Sequence, residues 1–254
     1  MRLTSLNRWK AAAIHLSLSA LIAATVVTAM LFLWYPPPHF YAMDGEGLLK
    51  VIVGVDVTIG PLLTLIIFKP GKWGLKFDLS VIATLQVVAL AYGVWIMFEA
   101  RPVYEAFAMD RFDIVSANQM DQADLDAGPP EYRDLPLTGP RVVGIKFPDK
   151  EKDPEEWNKL VFIAATGKDA PQLPKYYVPY ADIAADVLKK ARLLSTLGKD
   201  KPGAGDAVRS FVARSGRPES DFVYVPLVGR GDTMVAVLDA RAAKIVGYLP
   251  IDPY

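Results

Sequence analysis

Residues 11–35, AAAIHLSLSALIAATVVTAMLFLWY, run for 25 positions without an Asp, Glu, Lys or Arg. An α-helix needs roughly 20 such residues to cross the hydrocarbon core of a bilayer, so this stretch reads as a membrane span. A cleaved signal peptide is the alternative, because Arg2, Arg8 and Lys10 make a basic leader. The apolar region of a signal peptide, however, is usually only about 7–15 residues long. Two more runs follow: 48–68, interrupted only by Lys50 and Asp56, and 79–98, which carries no charge. Both are long enough to span. Buried core helices of a soluble protein would have to produce three such runs, with alternating charge between them, by coincidence.

The loops orient the spans. Three basic residues precede the first run, and three more, Lys69, Lys72 and Lys76, lie between the second and third. The connection 36–47 instead holds Asp44 and Glu46 with no Lys or Arg. Basic loops stay on the cytoplasmic side, which puts the N-terminus and the 69–78 loop there and sends everything after Glu99 across the membrane. Trp9, Trp34, Tyr35, Phe68, Trp73, Trp95 and Phe98 fall at the run ends, where aromatic rings favour the interface. The short loop makes the second and third spans an antiparallel hairpin, with Pro70-Gly71 at the turn and Asp78 placed to cap the third helix.

Within these spans Asp56 stands out. It lies twelve residues before Phe68, about 18 Å along the helix and close to the bilayer midplane. Tyr92 and Thr25 fall at similar depth, so Asp56 is expected to face the three-helix interior and bond one of them as the neutral acid. Gly60-Pro61 follows one turn later. The proline removes a donor, frees the carbonyl of Val57 and predicts a kink, and Gln86 is placed to donate to carbonyls near the break. Asp56, Gly60, Pro61, Gln86 and Tyr92 are therefore the candidate intramembrane residues. A satisfied contact between helices and a functional acid are the two readings of Asp56.

The remainder, 100–254, reads as a small soluble α+β domain, after a three-span anchor over 1–99. Arg101–Ala117 predicts a strand and 119–140 a loop carrying a short helix. Arg141–Phe147 predicts another strand, and Pro154–Ala165 a helix with Asp153 as N-cap and Pro154 at its first position. Apolar spacing continues a helix over Asp182–Leu197, stopped by Gly198, and a shorter helix is expected over Ala207–Arg214. Phe222–Val228, Thr233–Asp239 and Lys244–Leu249 are Val-rich runs joined by Gly229-Arg230-Gly231-Asp232 and Asp239–Ala243, an antiparallel β-meander. The Arg-Gly-Asp at 230–232 is turn chemistry.

Composition bounds the chemistry. The 254 residues include no cysteine, and 28 basic residues balance 28 acidic ones. Disulfides, thiol catalysis and Cys-type zinc sites are excluded, and nothing marks the chain as a nucleic-acid binder. With His15 and His39 the only histidines, a Ser-His-Asp triad in the later two hundred residues is excluded as well. No phosphate-binding, HExxH, GxSxG or EF-hand pattern is present, and the Gly- and Lys-rich 198–206 follows a helix rather than a strand, so it reads as a surface loop. Asp121, Asp124 and Asp126 read as a solvated face. No catalytic, cofactor-binding or metal residue is assigned, and no cofactor or enzymatic activity is expected.

The stretch Gly54–Gly93, GVDVTIGPLLTLIIFKPGKWGLKFDLSVIATLQVVALAYG, followed by ARPVYEAFAMDRFDIVSA at Ala100–Ala117, resembles the type IV pilin accessory proteins of the TfpX/TfpZ type. The shared features are GVD, the GP pair, FKPGK at Phe68–Lys72 (Lys69, Pro70, Gly71 and Lys72), and the Asp78-Leu79 pair. Arg101-Pro102 and Asp110-Arg111-Phe112 complete the set. LDARAAKIVGYLPID near the end is similar to that family's C-terminus. The resemblance implies a multi-pass inner-membrane protein of a Gram-negative bacterium with a periplasmic domain. It also implies a chaperone-like partner of the major type IV pilin that modulates fimbrium biogenesis and surface piliation, with the bilayer and other pilus assembly proteins as further partners. The alternative from another class is a proton-handling or lipid-linked membrane enzyme centred on Asp56. A ligand sensor is a third, without a cytoplasmic output domain to support it.

Overall fold

The computed structural model describes residues 7–197 and 203–254. Arg2, the helix stop expected at Gly198 and most of the loop 198–206 therefore lie outside the described residues. The chain divides into two compact units, one ending at Pro36 and resuming over Gly45–Ala100, the other made of Pro37–Asp44 and Arg101–Tyr254.

The first unit is helical. α1 (Arg8–Leu33) opens at Asn7, whose side chain accepts from Lys10 N at 2.8 Å, and ends where Tyr35 donates its hydroxyl to Met97 O at 2.9 Å. A second helix, α2 (His39–Ala42), belongs to the other unit. The middle run is built in three pieces: α3 (Gly45–Gly54), a π-helical segment (Val55–Ile59) and α4 (Gly60–Ile67). α5 (Leu75–Glu99) returns alongside. Among the described residues two helices, α1 and α5, are long and apolar enough to cross a membrane. The expected second span is helical but not one regular α-helix. Pro61 cannot donate, and the backbone before it absorbs the missing bond in a wider turn. Leu18, Leu21, Phe32, Leu85 and Val88 are exposed on α1 and α5, the outward apolar surface of helices that suit a lipid surrounding.

Asp78 does not cap α5. That helix starts earlier, at Leu75, because Gly74 takes the left-handed conformation (φ 82°) and so turns the chain into the helix. Asp78 sits in the first turn, where its charge complements the helix dipole, and pairs with Lys72 at 2.6 Å.

The second unit is built on one eight-stranded sheet. Its strands are β1 (Pro102–Ala108), β2 (Arg111–Ser116), β3 (Arg141–Ile145), β4 (Tyr177–Pro179), β5 (Arg192–Leu193), β6 (Phe222–Val228), β7 (Thr233–Asp239) and β8 (Ile245–Leu249). They lie in the order β4-β3-β1-β2-β6-β7-β8, with β5 also on β6. β1 pairs parallel with β3 and β2 parallel with β6; the other pairs are antiparallel. The meander occupies the residues expected of it, but as one end of a larger mixed sheet. Every residue of β1 is buried, as a central strand covered on both faces requires.

Helices α6 (Gln122–Ala127), α7 (Pro154–Ala165), α8 (Tyr180–Lys190), α9 (Leu194–Leu197) and α10 (Ala204–Ser215) complete the unit. α7 starts as its sequence dictates, with Asp153 accepting from Glu156 N at 3.1 Å and Pro154 first. One apolar core gathers Val103, Tyr104, Val143, Leu160 and Leu173, and another gathers Leu194, Val208, Phe222, Val235 and Val237.

Two expectations are corrected. The single strand predicted over Arg101–Ala117 is a hairpin, β1 and β2, reversing at Met109-Asp110 with Met109 at φ 59°. The helix predicted over Asp182–Leu197 ends at Lys190, because Arg192 and Leu193 pair with Tyr224 and Val223 of β6.

Candidate functional site

In the helical unit, the π-segment turns Asp56 inward to 6% exposure. Gln86 Nε2 donates to the main-chain oxygen of Asp56 at 3.1 Å. Gly60 makes room for this bond, since a Cβ there would lie 2.1 Å from Gln86 Nε2. Pro61 is buried at the start of α4. Asp56 Oδ1 is enclosed and has no hydrogen-bond partner. The contact expected with Tyr92 or Thr25 is not made: Tyr92 is 62% exposed with its ring 5.9 Å from that of Trp95, and Thr25 donates to Leu21 O at 2.8 Å. Depth alone had matched Tyr92 to Asp56. Tyr92 lies six residues beyond Gln86, and at roughly 100° per residue the two point to different sides of the helix. A polar contact missed from the sequence joins His15 Nδ1 to Thr64 Oγ1 at 2.6 Å, tying α1 to α4. A histidine inside an otherwise uncharged span was its signal.

The other residues named from the sequence are dispersed. Lys69, Pro70, Gly71 and Lys72 form the exposed turn before α5. Arg101 is buried and donates from Nε to Pro136 O at 3.2 Å, while its carbonyl accepts from Ala117 N at 3.0 Å. Pro102 begins β1 opposite Ser116. Phe112 is fully buried against Phe107 and Tyr180. These residues hold the start of the sheet in place. Asp110 and Arg111, by contrast, stand beside a cavity.

That cavity, of about 440 Å³, opens along β2. Its apolar walls include Ile114 and Val115 of β2, Trp157, Leu160 and Val161 of α7, and Phe147. Asp110, Arg111, Asp113, Asp169 and Arg230 supply its charge. Arg111 Nε donates to both carboxylate oxygens of Asp113, at 3.1 and 3.3 Å. Burial pushes the Asp113 carboxyl up to about 6, against the opposing pull of Arg111.

Elsewhere in the same unit, Glu105 is the one charged residue of β1 and is 1% exposed. Tyr248 donates its hydroxyl to Glu105 at 2.8 and 3.1 Å, and His39 Nε2 contacts Oε1 from the other side. The segment Pro37–Asp44 is further fixed by Ala42, whose carbonyl accepts from Gly231 N at 2.9 Å and Asp232 N at 3.2 Å. A Cβ on Gly229 would lie 2.1 Å from that carbonyl, so the Gly-Arg-Gly-Asp turn is shaped to receive the segment. Burial and the Glu105 charge both push the Tyr248 phenol well up. An acid in an otherwise apolar strand was the sequence signal for this cluster, but its partners lie too far along the chain to be paired by inspection.

Comparison with known proteins gives a consistent result. Residues 4–43 match the family model for fimbrial assembly protein FimB. Over 249 residues the chain is 33% identical to a fimbrial assembly protein of serogroup I from Dichelobacter nodosus, covering 96% of this chain and 95% of that protein. A serogroup E1 relative from the same organism is 30% identical over the same shares. One of serogroups C1 and C2 is 39% identical over 110 residues, 42% of this chain and 83% of that protein. No solved structure matches the chain.

Proposed function

This chain belongs to the family of fimbrial assembly proteins, and from that premise we propose that it is an inner-membrane accessory protein that binds the major type IV pilin and modulates its assembly into surface pili. The observation that carries this reading is the pairing, in one fimbrial assembly protein, of apolar helices with a folded unit that offers an open cleft. A pilin waiting in the membrane has the same two parts, an apolar helix and a globular head.

The basic residues of the N-terminus and of the 69–76 turn support a cytoplasmic placement for both. The middle helix then acts as a third span, and the sheet-bearing unit faces the periplasm. In this reading the helices receive the pilin helix and the second unit touches the pilin head. Co-purification of the full chain with its cognate pilin from detergent tests the proposal. Photoreactive groups through α4 and α5 that never capture pilin would remove the receiving role of the helices.

The enclosed Oδ1 of Asp56 favours one competing reading, a membrane-embedded proton-handling protein. Asp56→Asn separates the two. The amide preserves shape and hydrogen bonding but exchanges no proton, so the accessory role predicts piliation within about twofold of wild type, well short of a tenfold loss. A proton-handling role predicts complete loss.

A further inference from the structure

The helical unit is electrically lopsided. Ala11 of α1, Phe68 at the end of α4 and Leu75 of α5 are buried in one cluster, with Leu79 packed on it, so the start of α1 and the turn before α5 share one end of the unit. The described cations of that end are thereby brought together: Arg8 and Lys10 on α1, Lys69 and Lys72 in the turn and Lys76 on α5, all exposed. Asp78 is the one acid there among the described residues, and it pairs with Lys72. Arg8, Lys10, Lys69 and Lys76 have no carboxylate partner among the described residues. The opposite end, where Tyr35 reaches Met97, carries Glu46 and Glu99, and its Lys50 is paired with Glu46 at 3.4 Å.

The turn that presents Lys69 and Lys72 is fixed. Lys72 N donates to Lys69 O at 3.1 Å and Leu75 N to Lys72 O at 3.3 Å, with Gly71 (φ 77°) and Gly74 (φ 82°) in the left-handed region that a Cβ would strain. Charges on a preset turn lose little freedom when they bind. Aromatic rings share this end: Trp9 is 68% exposed, Trp73 97% and Phe77 72%, each next in sequence to a cation. Such rings at the ends of apolar helices lodge at headgroup depth. The neighbouring cations then stand at the level of the lipid phosphates, where each contributes about fivefold to attraction by an anionic membrane surface. An acidic protein would meet the charges but leave the rings in water.

We propose that this end of the helical unit is a docking surface for anionic phospholipid headgroups, with Arg8, Lys10, Lys69 and Lys76 meeting the phosphates and Trp73 and Phe77 seated among the headgroups. Lys72 stays with Asp78. The inference rests on the membrane placement proposed above and adds the lipid class that this end selects.

The test reconstitutes the full chain in vesicles of equal parts phosphatidylglycerol and phosphatidylcholine, extracts it in mild detergent and measures the retained lipid by mass spectrometry. Wild type retains phosphatidylglycerol about tenfold over phosphatidylcholine, and Lys69→Gln/Lys76→Gln brings this within about twofold of the bulk mixture, since two cations contributing about fivefold each are gone. Lys189→Gln/Lys190→Gln makes the same charge change at exposed positions of α8 and leaves the enrichment at the wild-type value. Molar sodium chloride removes the wild-type enrichment with no substitution at all, because the attraction is screened. Retained lipid at the bulk ratio in wild type, an enrichment unmoved by salt, or equal enrichment in wild type and Lys69→Gln/Lys76→Gln overturns the inference. Enrichment abolished by millimolar inorganic phosphate, but not by sodium chloride of equal ionic strength, assigns the surface to free anions and also overturns it. So does an acidic protein carried through purification by the same lysines without lipid enrichment. A chain released from its membranes by alkaline carbonate would remove the membrane placement proposed above, and this inference with it.

Discussion

Tyr248→Phe removes one oxygen and little else. The ring stays, with its edge-on contact to His39 at 5.5 Å between centroids. What is lost is the hydroxyl that donates to both oxygens of Glu105, a side chain at 1% exposure that water cannot reach to compensate. A hydrogen bond to a charged group contributes about 1.5–3 kcal/mol, and a buried acceptor stripped of its donor lies at the upper end of that range. For a unit of this size each kcal/mol shifts the unfolding midpoint by about 2–4 °C, which gives a fall of roughly 3–12 °C. The assay is thermal unfolding of the full chain in detergent, followed by near-ultraviolet circular dichroism. Tyr41→Phe, at an exposed tyrosine, serves as the control. A midpoint that moves no more for Tyr248→Phe than for Tyr41→Phe would show that Glu105 does not depend on this donor, and the account of the cluster would be wrong.

Three further outcomes are expected. Gly60→Ala drives Gln86 off the Asp56 carbonyl and costs about 1 kcal/mol, a loss that disappears in a Gln86→Ala background; a double-mutant cycle with no coupling refutes the packing argument. Asp113 titrates near 6 when folded against 3.8 ordinarily, so the folded chain holds a proton that the unfolded chain has released. The stability it contributes is therefore full below 3.8 and is lost as pH rises through about 6. Asp113→Asn should flatten the stability profile over that window, and parallel profiles for variant and wild type would sink the assignment. Asp153→Ala removes the α7 cap and costs about 1 kcal/mol by denaturant unfolding, most of it recovered in Asp153→Asn.

What the sequence revealed and what it hid follow from how local the causes are. The cap at Asp153, the proline at the start of α7 and the Gly-Asp turn of the meander act within a few residues, and the structure has them where the sequence put them. The hairpin at Met109-Asp110 carries no glycine or asparagine to announce it, and only the left-handed Met109 makes the turn. Helical spacing ran past Lys190 because periodicity says nothing of β6, whose pairing with Arg192 and Leu193 overrides it. The parallel pairs β1/β3 and β2/β6 join strands distant in sequence, and periodicity along one strand carries no sign of them. Asp56, Gly60 and Gln86 were legible as a group because a proline and an acid inside a span demand partners. The direction of Tyr92 was not, since depth fixes height along a helix and leaves its rotation open.

The eight residues Pro37–Asp44 separate two helices of the first unit yet belong to the second, which makes that second unit a product of both ends of the chain. Its order of completion during synthesis follows. His39 leaves the ribosome early, Glu105 later and Tyr248 almost last, so at about 5–20 residues per second the cluster waits roughly 10–40 s for its final member. From its own synthesis until then the acid on β1 lacks its phenol, and the carbonyl of Ala42 lacks its turn until Gly231 and Asp232 are made. A fragment beginning at Arg101 would repeat this unfinished state permanently, lacking His39 and Ala42 altogether. Chains released before β8 is made therefore carry the Glu105 carboxylate on a buried strand without its phenol donor.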